Sequence, residues 1–126
     1  MLAAGASTSA HRLDEYLQAA RVAIEPNRVV IDVDLTPGVA VAGVVLPEID
    51  RNRDGSISPA EAQVYVARVL SDLTLTIDGA PLAMSARGSS FPAMQALRTG
   101  VGTIQLRLAA VLPTLRPGAH RLALRN

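Results

Sequence analysis

The stretch at residues 50–61 constrains this chain more than any other. Oxygen-bearing residues fall at its first, third, fifth, seventh, ninth and twelfth positions: Asp50, Asn52, Asp54, Ser56, Ser58 and Glu61. Gly55 stands sixth, where a sharp turn is needed to keep alternate side chains aimed at one point. Asp50, Asn52 and Asp54 offer side-chain oxygens, and Ser56 and Ser58 add further oxygens at the same alternate spacing. Glu61 closes the set with both carboxylate oxygens. About six to eight oxygens at roughly 2.3–2.6 Å is what a hard divalent cation of calcium's size requires. Ser58, Pro59 and Glu61 also spell a helix start: N-cap, first helical residue and third residue. The last oxygen donor therefore sits in the first turn of a helix expected through about residue 70.

The spacing D-x-[DN]-x-[DN]-G-x₅-E is that of the EF-hand calcium-binding superfamily, and the loop resembles it at every specified position. The resemblance implies Ca²⁺ as the ion, with Asp50, Asn52, Asp54, Ser56, Ser58 and Glu61 as its ligands, Ser56 through its backbone carbonyl and Ser58 directly or through a water. Arg51 and Arg53 occupy non-ligand positions and are expected to face water. With three carboxylates against two arginines the loop carries −1, so affinity is expected in the ~10⁻⁴–10⁻³ M class of extracellular modules. The competing reading is a loop held without metal by its own Asx and Ser hydrogen bonds.

The other segments read mostly as strands. Residues 17–24 and 28–35 form a hairpin around Glu25-Pro26-Asn27. In its second arm Val29, Ile31, Val33 and Leu35 make one apolar face. Asp32 and Asp34 alternate along it, and are expected not to share a face. Residues 39–49 carry a helical stripe (Val41, Val45, Leu46, Ile49) against the contrary signals of Gly43, Pro47 and many valines. A short, imperfect helix is the preferred reading and a strand over 39–46 the other. Beyond residue 71 the pattern predicts a strand at 72–77, an Asp78-Gly79 hairpin returning to 86, and a loop at Gly88-Ser89-Ser90. A helical turn within 91–97, a long strand at 101–111 and a last strand at 120–124 follow. No second loop like 50–61 exists to pair with the first at Ile57, so either two copies pair through their loops or, as preferred here, strands of the same domain cover that residue. The predicted fold is α+β: a small antiparallel β-sandwich with a helix-loop-helix EF-hand inserted at about 39–71, within a single domain over 11–126.

Composition narrows function by exclusion. Aromatic residues make up 2% of the chain and cysteine is absent, which removes thiolate metal sites and disulfides. No G-x-S-x-G elbow, phosphate loop or histidine cluster is present, and no enzyme activity or small-molecule substrate is expected. All twelve basic residues are arginine. Residues 1–78 hold six arginines and eleven carboxylates, net −5, whereas 79–126 hold six arginines and no carboxylate. The halves are expected to complement one another; the sharper alternative is a cationic face for anionic lipid or an acidic partner. Nucleic acid is not expected, because the arginines are spread out and aromatic stackers are scarce.

The first ten residues, small and uncharged, read as the tail of a secretory signal peptide ending at Ala10. His11 would then begin the mature chain, a weak candidate for copper or nickel chelation. The runs His11-Arg12-Leu13-Asp14-Glu15-Tyr16-Leu17 and Asp34-Leu35-Thr36-Pro37-Gly38-Val39 precede the loop, and Asp72-Leu73-Thr74-Leu75-Thr76-Ile77-Asp78-Gly79 follows it. Together they look like the extracytoplasmic N-terminal domain of bacterial membrane proteins similar to nickel/cobalt transporters. That resemblance implies a periplasmic or extracellular location, a membrane-embedded remainder of the same parent as partner, and an ion that stabilises the domain. The departure is that no membrane-spanning run is present here. The alternative function is a metal-responsive sensor or docking module. Met84 and Met94 are too few, and expected too far from the loop, to form the apolar groove of such a sensor.

Overall fold

A computed structural model describes residues 16–126; the 1–10 stretch and His11 lie outside the described residues. The elements run β1 (Tyr16–Ile24), β2 (Arg28–Pro37), α1 (Val39–Ile49), α2 (Pro59–Asp72), β3 (Thr74–Ile77), β4 (Ala80–Leu82), β5 (Met84–Ser90), α3 (Met94–Arg98), β6 (Ile104–Val111) and β7 (Leu122–Arg125). The described residues form a mixed α and β fold, with three helices and two antiparallel sheets ordered β1-β2-β6-β5 and β4-β3-β7.

The central strands show why the larger sheet forms. Along β2, Val29, Ile31, Val33 and Leu35 point inward, and along β6, Ile104, Leu106 and Leu108 do the same. The register sets Ile31 opposite Leu108 and Val33 opposite Leu106, so the two apolar rows meet on one face. The smaller sheet contributes Leu75, with Leu122 and Leu124 packed alongside. Every large side chain in this core but Tyr65 and Met94 is aliphatic.

The helical segment lies between the hairpins β1–β2 and β3–β4. In α1, Ala42, Val45, Leu46 and Ile49 are buried at helical spacing, which favours the helix over the alternative strand. Pro47 falls in the last turn, so the hydrogen bond that its missing N–H removes lies next to the helix end. Two sequence expectations fail here. Gly88, Ser89 and Ser90 belong to β5, an edge strand with a register shift between Ala86 and Gly88. Their turn-like composition reflects that irregular edge, not a loop. Asp32 and Asp34 do share a face: residues two apart on a strand point the same way. Both line the outer side of the larger sheet, Asp32 paired with Arg107 at 3.1 Å and Asp34 with Arg21 at 3.3 Å.

The charge asymmetry is only sparsely reconciled by ion pairs. Of the six arginines in 79–126, Arg107 is the one in an ion pair among the described residues. The expected complementation of the halves is thus one arginine contact, together with His120 against Asp78.

Candidate metal centre

Residues 50–58 join α1 to α2 and turn back on themselves through local hydrogen bonds. Asp50 ends α1, donating its backbone N–H to the Leu46 carbonyl at 2.8 Å. Its carboxylate then accepts the N–H groups of Asp54 at 3.2 Å and Gly55 at 2.9 Å. Asn52 Oδ1 also accepts from Asp54 N–H at 3.2 Å, and Asp54 Oδ1 accepts from Ser56 N–H at 2.9 Å. Arg53 and Gly55 take φ values of 59° and 82°. The left-handed glycine is the turn residue expected at the sixth position.

Glu61 closes the loop from α2. Its Oε2 accepts Ser58 N–H at 2.9 Å while Ser58 Oγ accepts Glu61 N–H at 3.2 Å, a complete capping box. Glu61 Oε1 reaches across to Asn52 N–H at 3.3 Å. Backbone donation from Ser58, more than any other contact, holds the Glu61 carboxyl below its ordinary range, with Asn52 adding to it. The group is therefore ionised, as a cation ligand must be.

One carboxylate oxygen each from Asp50, Asp54 and Glu61 lies within 4.8 Å of the others. Asp50 is 5% exposed and Glu61 9%, rare values for acids without a partner. Each of their oxygens takes one backbone N–H above and keeps a further lone pair. Asn52 stands beside this trio, its Nδ2 donating to Asp54 Oδ2 at 3.2 Å. Ser56 is tied in by its N–H, and Ser58 spends its hydroxyl on the helix cap. Arg51 and Arg53 are exposed, as their non-ligand positions implied. An all-oxygen set with no imidazole or thiolate fits a hard cation.

The surroundings amend one expectation, the distance of Met94 from the loop. Ile57 is partly buried against the core, and the cleft of about 300 Å³ beside it is lined by Phe91, Pro92, Ala93 and Met94. Those lining residues belong to the β5–α3 connection and the start of α3. Met94 is not remote: with Leu46, Pro47 and Arg98 it lines a cleft of about 360 Å³ that includes Asp50, Asp54 and Gly55.

Sequence reasoning missed one polar cluster entirely. His120 Nδ1 lies 2.6 Å from Asp78 Oδ2, across 42 positions of sequence. Asp78 reads from sequence as a turn residue and His120 as the start of the last strand, and no local signal joins them.

Comparison with family models, curated proteins and solved structures returned no match. Among the described residues, no helix is long and apolar enough to cross a membrane, a statement that does not bear on β-barrels.

Proposed function

We propose that residues 39–72 form an EF-hand and that the chain is a calcium-binding domain in which the ion locks the end of α1 to the start of α2. The observation that carries this reading is the convergence of Asp50, Asp54 and Glu61 from twelve consecutive residues, two of them almost wholly buried. Asp50, Asn52, Asp54 and Glu61 would supply side-chain oxygens, Ser56 its carbonyl and Ser58 a water-mediated contact. The ion would offset the repulsion among three carboxylates and so stabilise the fold by mass action. We read the two sheets as halves of a small sandwich, since Leu75 of the smaller joins Leu106 and Leu108 of the larger in one core. A site of loop charge −1 fills where calcium is near millimolar, which supports an extracytoplasmic setting and the resemblance to membrane-attached domains.

The deciding experiment is an amide NMR titration with CaCl₂, paired with calorimetry. Gly55 and Ile57 signals should move up to about 10 mM Ca²⁺, the upper side of the extracellular class. Glu61→Gln should weaken binding by tenfold or more, roughly the loss of one charged ligand contact. Immobile Gly55 and Ile57 amides throughout the titration would reject the proposal.

A second reading, a calcium-responsive docking module, draws on one observation: Met94 and Leu46 border the same cleft as Asp50 and Asp54. Ion binding could then reposition α3. Unchanged α3 amide shifts between the calcium-free and calcium-bound states would eliminate it.

A further inference from the structure

Both ring nitrogens of His120 meet hydrogen-bond acceptors. Nδ1 lies 2.6 Å from Asp78 Oδ2, and Nε2 lies 2.6 Å from the carbonyl oxygen of Arg116. A neutral imidazole carries a single N–H. It would satisfy one contact and set a nitrogen lone pair against an oxygen lone pair at the other. Imidazolium alone donates at both ends.

Asp78 is built to hold this cation. It opens the two-residue turn between β3 and β4, with φ of 50° there and 82° at Gly79, the backbone that favours Asp-Gly or Asn-Gly. Its N–H donates to the Arg121 carbonyl at 2.8 Å, and its Oδ1 accepts Arg121 N–H at 2.8 Å. Its second carboxylate oxygen is thereby aimed at His120. The β6–β7 connection, residues 112–121, is thus pinned at Arg121 by Asp78 and folded onto itself at Arg116 by His120.

We propose that His120 is a proton-operated latch on the β6–β7 connection: protonated, it clamps the Arg116 carbonyl and the β3–β4 turn together; neutral, it releases the Arg116 side. The carboxylate keeps the remaining proton on Nδ1, so Nε2 becomes the bare nitrogen and the Arg116 contact breaks first. The Asp78–Arg121 bonds survive, so opening is confined to the connection and leaves β7 paired. Asp78 is the charged group that faces the ring. The guanidinium groups of Arg116 and Arg121 belong to the same connection, and both residues are exposed.

The electrostatics point the same way. The Asp78 hydrogen bond, then the Arg116 carbonyl, hold the imidazole above its usual 6.5. Arg121 N–H, then His120, hold the Asp78 carboxyl below its usual 3.8. The raised histidine contributes fully below pH 6.5 and is lost as pH rises through its folded value. The depressed carboxylate contributes above pH 3.8 and is lost as pH falls through its folded value. Between those limits the latch is shut.

The test is a ¹⁵N-histidine NMR titration of the full chain, with His11→Gln used to assign the two rings. His120 should show the imidazolium pattern at pH 6 and titrate above 6.5, the ordinary imidazole value. Asp78→Asn keeps a turn-compatible residue and an oxygen for Arg121 N–H but removes the charge, and should move the His120 midpoint back toward 6.5 or below. Amide exchange at residues 114–119 should rise as pH passes the His120 midpoint, while exchange at 50–61 keeps its ordinary pH trend. A His120 midpoint at or below 6.5 in the unsubstituted ring, or a 114–119 segment blind to the transition, overturns the latch. Either result leaves the calcium proposal untouched, because the two sites share no residue.

Discussion

Adding calcium should raise the melting temperature by an amount set by the donor set itself. The perturbation is 10 mM CaCl₂ against a chelated sample. As a calcium site, a loop of three carboxylates and two exposed arginines is expected in the ~10⁻⁴–10⁻³ M class. At those affinities RT ln(1 + [L]/Kd) gives about 1.4–2.7 kcal/mol of added stability at 10 mM. For a domain of this size one kcal/mol moves the midpoint by roughly 3–5 °C, so the shift should be about 4–14 °C. Differential scanning calorimetry at several calcium concentrations checks both the size and the logarithmic dependence. Glu61→Gln should erase most of the shift. Magnesium at the same concentration should produce much less, since it demands a tight octahedron and gives up water reluctantly. A shift under about 2 °C, or one that Glu61→Gln leaves intact, would refute the link between this carboxylate cluster and the ion.

Other perturbations probe the frame around the site. A Cβ at Gly102 would meet Leu97 N at 2.9 Å, Pro92 Cγ at 2.9 Å and Ala96 C at 3.0 Å, so Gly102→Ala should cost about 1–3 kcal/mol in urea unfolding. Gly43 lies within α1 with nothing inside 4 Å of the same added atom, and Gly43→Ala should stabilise by about 0.5–1 kcal/mol in the same assay. Ser58→Ala removes the N-cap of α2 and should lower stability by about 1 kcal/mol without calcium, read by thermal melting. The hydroxyls of Tyr16 and Tyr65, 2.6 Å apart and raised above 10 chiefly by burial, should stay protonated in the fold. Neutral-form stabilisation is complete below pH 10 and fades as pH climbs toward the folded values, so ultraviolet titration should show their ionisation together with alkaline unfolding.

How much could be read before the structure depended on how local each signal was. Residues 50–61 carry the carboxylate spacing, the glycine and the capping box in one run, and the turn at Gly55 and the helix start at Ser58 lie where that run puts them. The hairpin β1–β2 was equally visible, because Val29 through Leu35 alternate without interruption. The α1 helix was ambiguous since valine content and Pro47 oppose its stripe; burial of Ala42, Val45, Leu46 and Ile49 decided it. β5 was hidden because an edge strand can carry Gly and Ser where a central one cannot. The shared face of Asp32 and Asp34 was fully legible, since strand side chains repeat every second residue. The approach of Met94 to the loop, and of His120 to Asp78, depends on tertiary closure and leaves no trace in local pattern.

The pairing of β2 with β6 has a consequence for how the molecule is assembled. Leu35 and Ile104 are partners across the sheet but 69 positions apart in the chain. Bringing them together costs closure entropy that grows slowly with the free length between them, and contacts this distant slow folding. The entire helix–loop–helix hangs inside that span. Any cation that ordered it early would shorten the wandering part of the chain, so an ion gripped by twelve residues would act upon a seam formed by strands that never touch it.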